Sequence, residues 1–261
     1  MKFMIGDIVT RKSHNNDILF KILEIDNNNV YLKGIDVRLV ADSDISDLVK
    51  VVEDFDIYKE DRILTERIKR NINLDRSEFF YLPGKILHLD ADNDYLSRCI
   101  KLYSDMKVEA YGINIKEDNL KNKIQENLIK YNPDIVVITG HDAYFKGKDK
   151  IYQNSDNFID AVKEARKYEP SHDKLIIVAG ACQSNYEELI KAGANFASSP
   201  KRINIHALDP AIVASSVALS EKNKPIELLS VLKKTKYGSD GIGGIITNGT
   251  MYVGFPRWML I

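Results

Sequence analysis

Two runs of consecutive apolar residues stand out along the chain: Ile135-Val136-Val137-Ile138, and Leu175-Ile176-Ile177-Val178-Ala179. Short, largely β-branched runs of this kind predict fully buried strands. Each run stops at a glycine, and each is followed by a reactive side chain. The first leads into Gly140-His141-Asp142 and the second into Gly180-Ala181-Cys182. Around them, from Pro83 onward, strand-like and helical patterns alternate. Residues 85–90 and 108–114 read as strands. Leu96, Cys99, Ile100, Tyr103 and Met106 recur at helical spacing, as do Leu120, Ile124 and Leu128, then Phe158, Ile159, Val162 and Ala165. A strand–helix alternation predicts an α/β fold, a parallel sheet with helices on both faces. Right-handed crossovers then place every strand's C-terminal end on one rim. Open parallel sheets carry their chemistry on that rim, so His141 and Cys182 are expected there together.

The flanking segments differ. Residues 1–52 hold short β-rich runs broken by Asn and Gly, including 3–9, 18–25, 30–32 and 37–40, with a polar turn at 42–48 before a last strand. This predicts a small N-terminal β-barrel. Residues 53–80 are crowded with charge and have only a thin apolar stripe of Ile57, Leu64 and Ile68, which predicts an exposed helical linker. The α/β domain then occupies 81–261. Beyond Cys182, residues 185–192 read as a short helix ending at Gly193, and 194–198 as a fifth strand. Asp209 is placed to cap a helix with Pro210 in its first position. A further helix is expected over 226–235, then a loop with Gly238, Gly241, Gly243 and Gly244. A closing hairpin over 245–253 would turn at Asn248-Gly249.

Composition narrows the function classes. A formal net charge of −1 gives no field for nucleic acid or an anionic membrane. No apolar run approaches the ~20 residues of a membrane span. Two cysteines are too few for a disulfide scaffold and fit a reducing, intracellular compartment. There is no Cys-x-x-Cys pair, no His-Glu-x-x-His and no Gly-x-Ser-x-Gly. The glycine-rich loop lacks a phosphate-loop lysine. No metal or cofactor is therefore expected.

What remains is thiol chemistry. Cys182 sits at a strand exit between small residues, just ahead of a helix whose N-terminus favours a thiolate. An unassisted thiol near pKa ~8.5 is only a few per cent ionised at neutral pH. His141 is the candidate to take its proton and later protonate a leaving amine. Cys99 lies on the apolar face of a helix and reads as core. His88 lies within a strand and reads as structural, His14 and His172 as solvated, and His206 as a weaker base candidate.

Long segments of the chain resemble the YabG sporulation peptidases. These are Ile5-Gly6-Asp7, Val37-Arg38-Leu39-Val40-Ala41-Asp42-Ser43-Asp44, Leu82-Pro83-Gly84-Lys85-Ile86-Leu87-His88-Leu89-Asp90 and Val137-Ile138-Thr139-Gly140-His141-Asp142-Ala143-Tyr144. Ala179-Gly180-Ala181-Cys182-Gln183-Ser184, residues 192–200 and residues 204–210 follow in the same order. The resemblance implies an endopeptidase that processes spore coat or cortex-related proteins in the mother cell of a sporulating bacterium. More distantly, the layout is similar to the caspase, gingipain and clostripain group. That implies a caspase-like α/β/α sandwich, with the N-terminal unit read as SH3-like. One departure is that Gly140 precedes the histidine rather than following it. The Cys182 N–H is then the first oxyanion donor, and the second is Asp142 or Ala143.

The same resemblance implies cleavage after arginine, and hence a carboxylate in the substrate pocket, since a guanidinium pairs well with one. Asp92, Asp90 and Asp209 are the candidates. It also makes the linker arginines Arg62, Arg67, Arg70 and Arg76 candidates for self-cleavage. Two other readings stay open on the residues alone. One is a glutaminase-like amide hydrolase; the other is a non-enzymatic coat scaffold whose N-terminal barrel binds a partner.

Overall fold

Period-two alternation builds the first sheet. A computed structural model of the chain describes residues 3–51, 58–69, 78–145 and 151–257. Within the first segment, β1 (Ile8–Arg11), β2 (Phe20–Asp26), β3 (Asn29–Gly34), β4 (Val40–Asp44) and β5 (Leu48–Lys50) form an antiparallel sheet in the order β4-β3-β2-β1-β5. Phe20, Ile22, Val30 and Leu32 alternate inward. The run 37–40 was expected as a strand and 42–48 as a turn. Instead β4 begins at Val40 and continues through the polar residues to Asp44. Residues 36–38 loop out of the ladder between Ile35, whose N–H donates to the Leu19 carbonyl oxygen, and Leu39, whose carbonyl oxygen accepts from the Gly34 N–H.

α1 (Lys59–Lys69) falls in the expected linker, but Leu64 and Ile68 of its apolar stripe are buried in the core of the larger domain, while Ile57 lies outside the described residues. It is therefore a packed helix rather than an exposed one. Of the linker arginines, Arg70 and Arg76 lie outside the described residues. β6 (Phe80–Leu82) follows.

The larger sheet holds β7 (Ile86–Asp90), β8 (Ala110–Asn114), β9 (Ile135–Thr139), β10 (Ile176–Ala179), β11 (Phe196–Ser198) and β12 (Ile242–Gly244). Its order is β12-β11-β10-β9-β7-β8, parallel throughout except for β12. The intervening helices are α2 (Asn93–Asp105), α3 (Leu120–Tyr131), α4 (Ser155–Tyr168), α5 (Tyr186–Ala192), α6 (Asp209–Ala218) and α7 (Leu228–Leu232). Alternate residues of one strand enter different cores. Ile135 and Val137 pack with residues of α2 and α6, whereas Val136 and Ile138 pack with α3 and α4. Both faces of the sheet are thus covered, which is why its strands read as continuous apolar runs.

The chain end departs from expectation. The pair Asn248-Gly249 does not turn a hairpin. Residues 248–251 bridge to 221–225, and a Cβ on Gly249 would sit 2.1 Å from the Ser220 carbonyl oxygen. Glycine there permits close backbone approach. β13 (Tyr252–Gly254) pairs with β6 instead. Gly243 and Gly244, expected in a loop, form part of the edge strand β12. No helix among the described residues is long and apolar enough to cross a membrane.

Candidate active site

β9 and β10 are neighbours, with Ile138 opposite Ala179. His141 and Cys182 therefore leave adjacent parallel strands at the same rim. The strand order reverses between β7 and β9, so the rim beside His141 is also the topological switch point. The end of β7 supplies Asp90 and Asp92 to it.

At the β10 exit the chain turns sharply. Gly180 has φ +104°, and a Cβ there would meet Leu189 at 2.9 Å; Gln183 follows at φ +57°. Cys182 sits between them with no solvent exposure. Its Sγ accepts from the Ile205 N–H at 3.3 Å and lies 3.7 Å from the Ile205 carbonyl oxygen. It packs with Val37, Leu39 and the core of the small sheet. Burial pushes the Cys182 thiol up to about 12, outweighing the Ile205 N–H and the nearby Arg38. The expectation of a thiolate held by a helix N-terminus is not met in this arrangement, because the sulfur faces the small sheet and residue 205. Cys99 is buried in the core of the larger domain, as its helical position predicts.

His141 is half-buried. Its Nε2 lies 3.1 Å from Asp92 Oδ2, and its buried Nδ1 has no hydrogen-bond partner among the described residues. The Asp92 carboxylate is shared widely. Lys33 Nζ of β3 reaches Oδ1 and Oδ2 at 2.8 and 2.7 Å, and the backbone N–H groups of Asp94 and Tyr95 donate to Oδ1, capping α2. Burial raises its pKa, but the bonds from His141 and Lys33 win and hold it well below the usual carboxylate range. Asp92, a candidate for the substrate pocket, thus lies against the His141 imidazole and Lys33.

Asp142 joins the loops that follow β9 and β10. Its Oδ1 accepts from the N–H groups of Ala143 (2.9 Å) and Asn154 (2.8 Å), and its Oδ2 from the hydroxyls of Ser155 and Ser184, the latter at 2.9 Å. Ser184 Oγ in turn accepts from the Ala181 N–H at 2.9 Å. The carboxylate thus ties the loop after β9 to the loop after β10. Burial raises its pKa against those bonds. Neither the Cys182 nor the Asp142 backbone N–H donates to an acceptor among the described residues. In the sequence, only the adjacency of Asp142 to His141 hints at a side-chain role beyond the backbone one expected of it.

The other candidate carboxylates are fully buried. Asp90 Oδ2 accepts from Arg38 Nη1 at 2.5 Å and from Thr139 Oγ1 at 2.8 Å, while Oδ1 accepts from the Asp92 N–H at 2.9 Å. Burial raises its pKa, but Arg38, His88 and the Asp92 N–H together more than reverse that, leaving it well below the usual range. Asp209 is the first residue of α6 rather than its cap. Its carboxylate accepts from the His206 and Lys236 N–H groups at 3.0 and 2.8 Å, and burial pushes it up to about 7. His88 is internal, held by Tyr103 and Thr139. His206 is buried beside Asp61 and Asp36, and burial drives its pKa well down. Its Nε2 has no hydrogen-bond partner among the described residues.

The same set of residues falls within a known protein family. The family model described as YabG peptidase U57 matches residues 4–256. The sporulation-specific protease YabG of Bacillus subtilis (strain 168) is 41% identical over 286 aligned positions, spanning 98% of this chain and 99% of that protein. With the match running through both sheets and both rim loops, the chain belongs to the YabG family of peptidases.

Proposed function

We propose that this protein is a sporulation-specific cysteine endopeptidase that cleaves spore coat or cortex-related proteins after arginine in the mother cell. Cys182 is the nucleophile, His141 the proton carrier and Asp92 the residue that orients it. The observation that carries this reading is the delivery of His141 and Cys182 to one rim by neighbouring parallel strands. The strand order, the antiparallel last strand and the placing of these residues after the third and fourth strands of the sheet support a caspase-like sandwich. The preceding five-stranded sheet supports an SH3-like unit, and the division into 1–52, 53–80 and 81–261 follows.

The chemistry runs through this chain's own groups. His141 Nδ1 takes the Cys182 proton as Sγ attacks the peptide carbonyl carbon. The oxygen of the tetrahedral adduct is held by the Cys182 and Asp142 N–H groups, each donor being worth ~3–4 kcal/mol in related chemistry. The C–N bond then breaks, His141 protonates the departing amine, and a thioester remains. Water, deprotonated by His141, attacks the thioester and restores the thiol. Asp92 on Nε2 fixes the ring and stabilises the imidazolium that forms. Because the sulfur is fully buried, the segment over it must move before a polypeptide can enter.

The test is cleavage of an arginine-containing coat protein by the parent, Cys182→Ala and His141→Ala. Both variants are expected to lose activity, and undiminished cleavage by both overturns the assignment.

A further inference from the structure

Arg38 belongs by sequence to the small N-terminal sheet, yet its side chain is fully buried in the larger domain. Nη1 pairs with Asp90 Oδ2 at 2.5 Å. Nε and Nη2 donate to the Ala207 carbonyl oxygen at 3.2 and 3.0 Å. The guanidinium lies 5.1 Å from the centre of the Tyr95 ring. A carboxylate, a carbonyl and an aromatic face together form a complete receptor for one guanidinium. All three come from the larger domain.

The backbone around Arg38 is docked as well. Val37 pairs with His206 in an antiparallel bridge, and the Ala207 N–H donates to the Asp36 carbonyl oxygen at 3.0 Å. The Tyr95 hydroxyl donates to the carbonyl oxygens of Gly34 and Val37, at 2.5 and 2.8 Å. Val37 and Leu39, on either side of Arg38, pack in one cluster with Cys182. An extended segment added beside a strand-like partner, with one side chain in a pocket, is a mode of peptide recognition. The local turn presents it. Leu39 N–H donates to Val37 O at 2.8 Å, and a Cβ on Gly34 would lie 2.4 Å from that same oxygen, so glycine is needed for the chain to fold back.

We infer that Arg38 occupies, in cis, the pocket that receives a substrate's arginine, with residues 36–38 lying where substrate backbone would lie, so that the N-terminal sheet holds the peptidase closed. The inference rests on the proposed arginine specificity and on Cys182 as nucleophile. A plain interdomain ion pair would explain the Arg38–Asp90 contact. It would not call for backbone pairing with residues 206–207 or for the packing of Val37 and Leu39 with Cys182. Asp90, rather than Asp92 or Asp209, then selects the substrate. An occupant tethered this closely acts at an effective concentration on the order of millimolar or above, so a substrate gains entry only when the segment is drawn away.

The test uses the full chain with Cys182→Ala, which removes cleavage, and benzamidine as a guanidinium stand-in followed by calorimetry. With Arg38 present, binding is expected to be undetectable up to about 10 mM. Arg38→Ala and Arg38→Lys are expected to bind at least tenfold more tightly, and adding Asp90→Asn to abolish the gain. In chains that retain Cys182, the same Arg38 changes are expected to speed its alkylation by iodoacetamide at least tenfold. A folded Arg38 variant with no gain in either readout overturns the inference, as does binding indifferent to Asp90→Asn. Should the Arg38 variants fail to fold, hydrogen exchange on the Cys182→Ala chain decides. Excess benzamidine at about 100 mM is expected to increase exchange across residues 34–40, and unchanged exchange overturns the inference. Failure of the underlying reading looks different: Cys182→Ala then still hydrolyses peptides while the amidine binds as described.

Discussion

Asp90→Asn perturbs the pair that joins the two sheets. Arg38 and Asp90 are each at 0% exposure and 2.5 Å apart. An asparagine cannot replace the carboxylate. With its oxygen toward Arg38 and Thr139, its amide faces the Asp92 N–H that now donates to Oδ1; turned over, its amide faces the guanidinium. Either way a buried donor meets a donor and Arg38 loses its counter-charge. Removing one partner of a buried pair costs about 3–5 kcal/mol, a fall in Tm of about 6–20 °C for a chain of this size. Adding Arg38→Met removes the stranded charge, so the double variant is expected within about 2 kcal/mol of the parent. The pH dependence has a definite sign. Asp90 is held below its unfolded value, so its contribution is present above pH ~3.9 and is lost as pH falls below that. The deficit of Asp90→Asn should therefore shrink on acidification. Urea and thermal unfolding followed by circular dichroism read all of this. A variant within 1 kcal/mol of the parent at pH 7, or a deficit that does not shrink in acid, refutes the reasoning.

Asp92→Asn is expected to lower kcat about 10²–10⁴-fold through loss of the His141 orientation. It should cost only about 1 kcal/mol of stability, because asparagine still caps α2 and Lys33 keeps Asp94; kcat within threefold of the parent contradicts this. Asp209 is raised to about 7 in a fully buried site. Its contribution is full below pH ~3.9 and is lost as pH rises through 7, about 4 kcal/mol in all. Asp209→Asn has no proton to lose, so its stability relative to the parent should climb by about that amount from pH 4 to pH 8. A pH-independent difference in urea titrations rejects it.

The twin strands around His141 and Cys182 were readable because a sheet covered on both faces writes itself as unbroken apolar runs. The helices of the larger domain followed from their spacing. The partners of Asp92 were not legible, because Lys33 and His141 lie 59 and 49 residues away, and one of them belongs to the other sheet. The burial of Cys182 was invisible for the same reason: the cover is residues 35–39, whose pattern Val37-Arg38-Leu39-Val40 looks like an ordinary strand. Local pattern reports which residues are buried, not which distant segment buries them. Asn248-Gly249 shows the converse limit, since glycine serves close backbone approach there rather than a turn.

The most direct measurement is the site of covalent capture by an arginine chloromethyl ketone, mapped by mass spectrometry on protein that is cleaving an arginine substrate. One adduct is expected, on Cys182 and not Cys99, and it is lost in His141→Ala. Inhibition with no adduct on Cys182, or cleavage retained by Cys182→Ala, contradicts it.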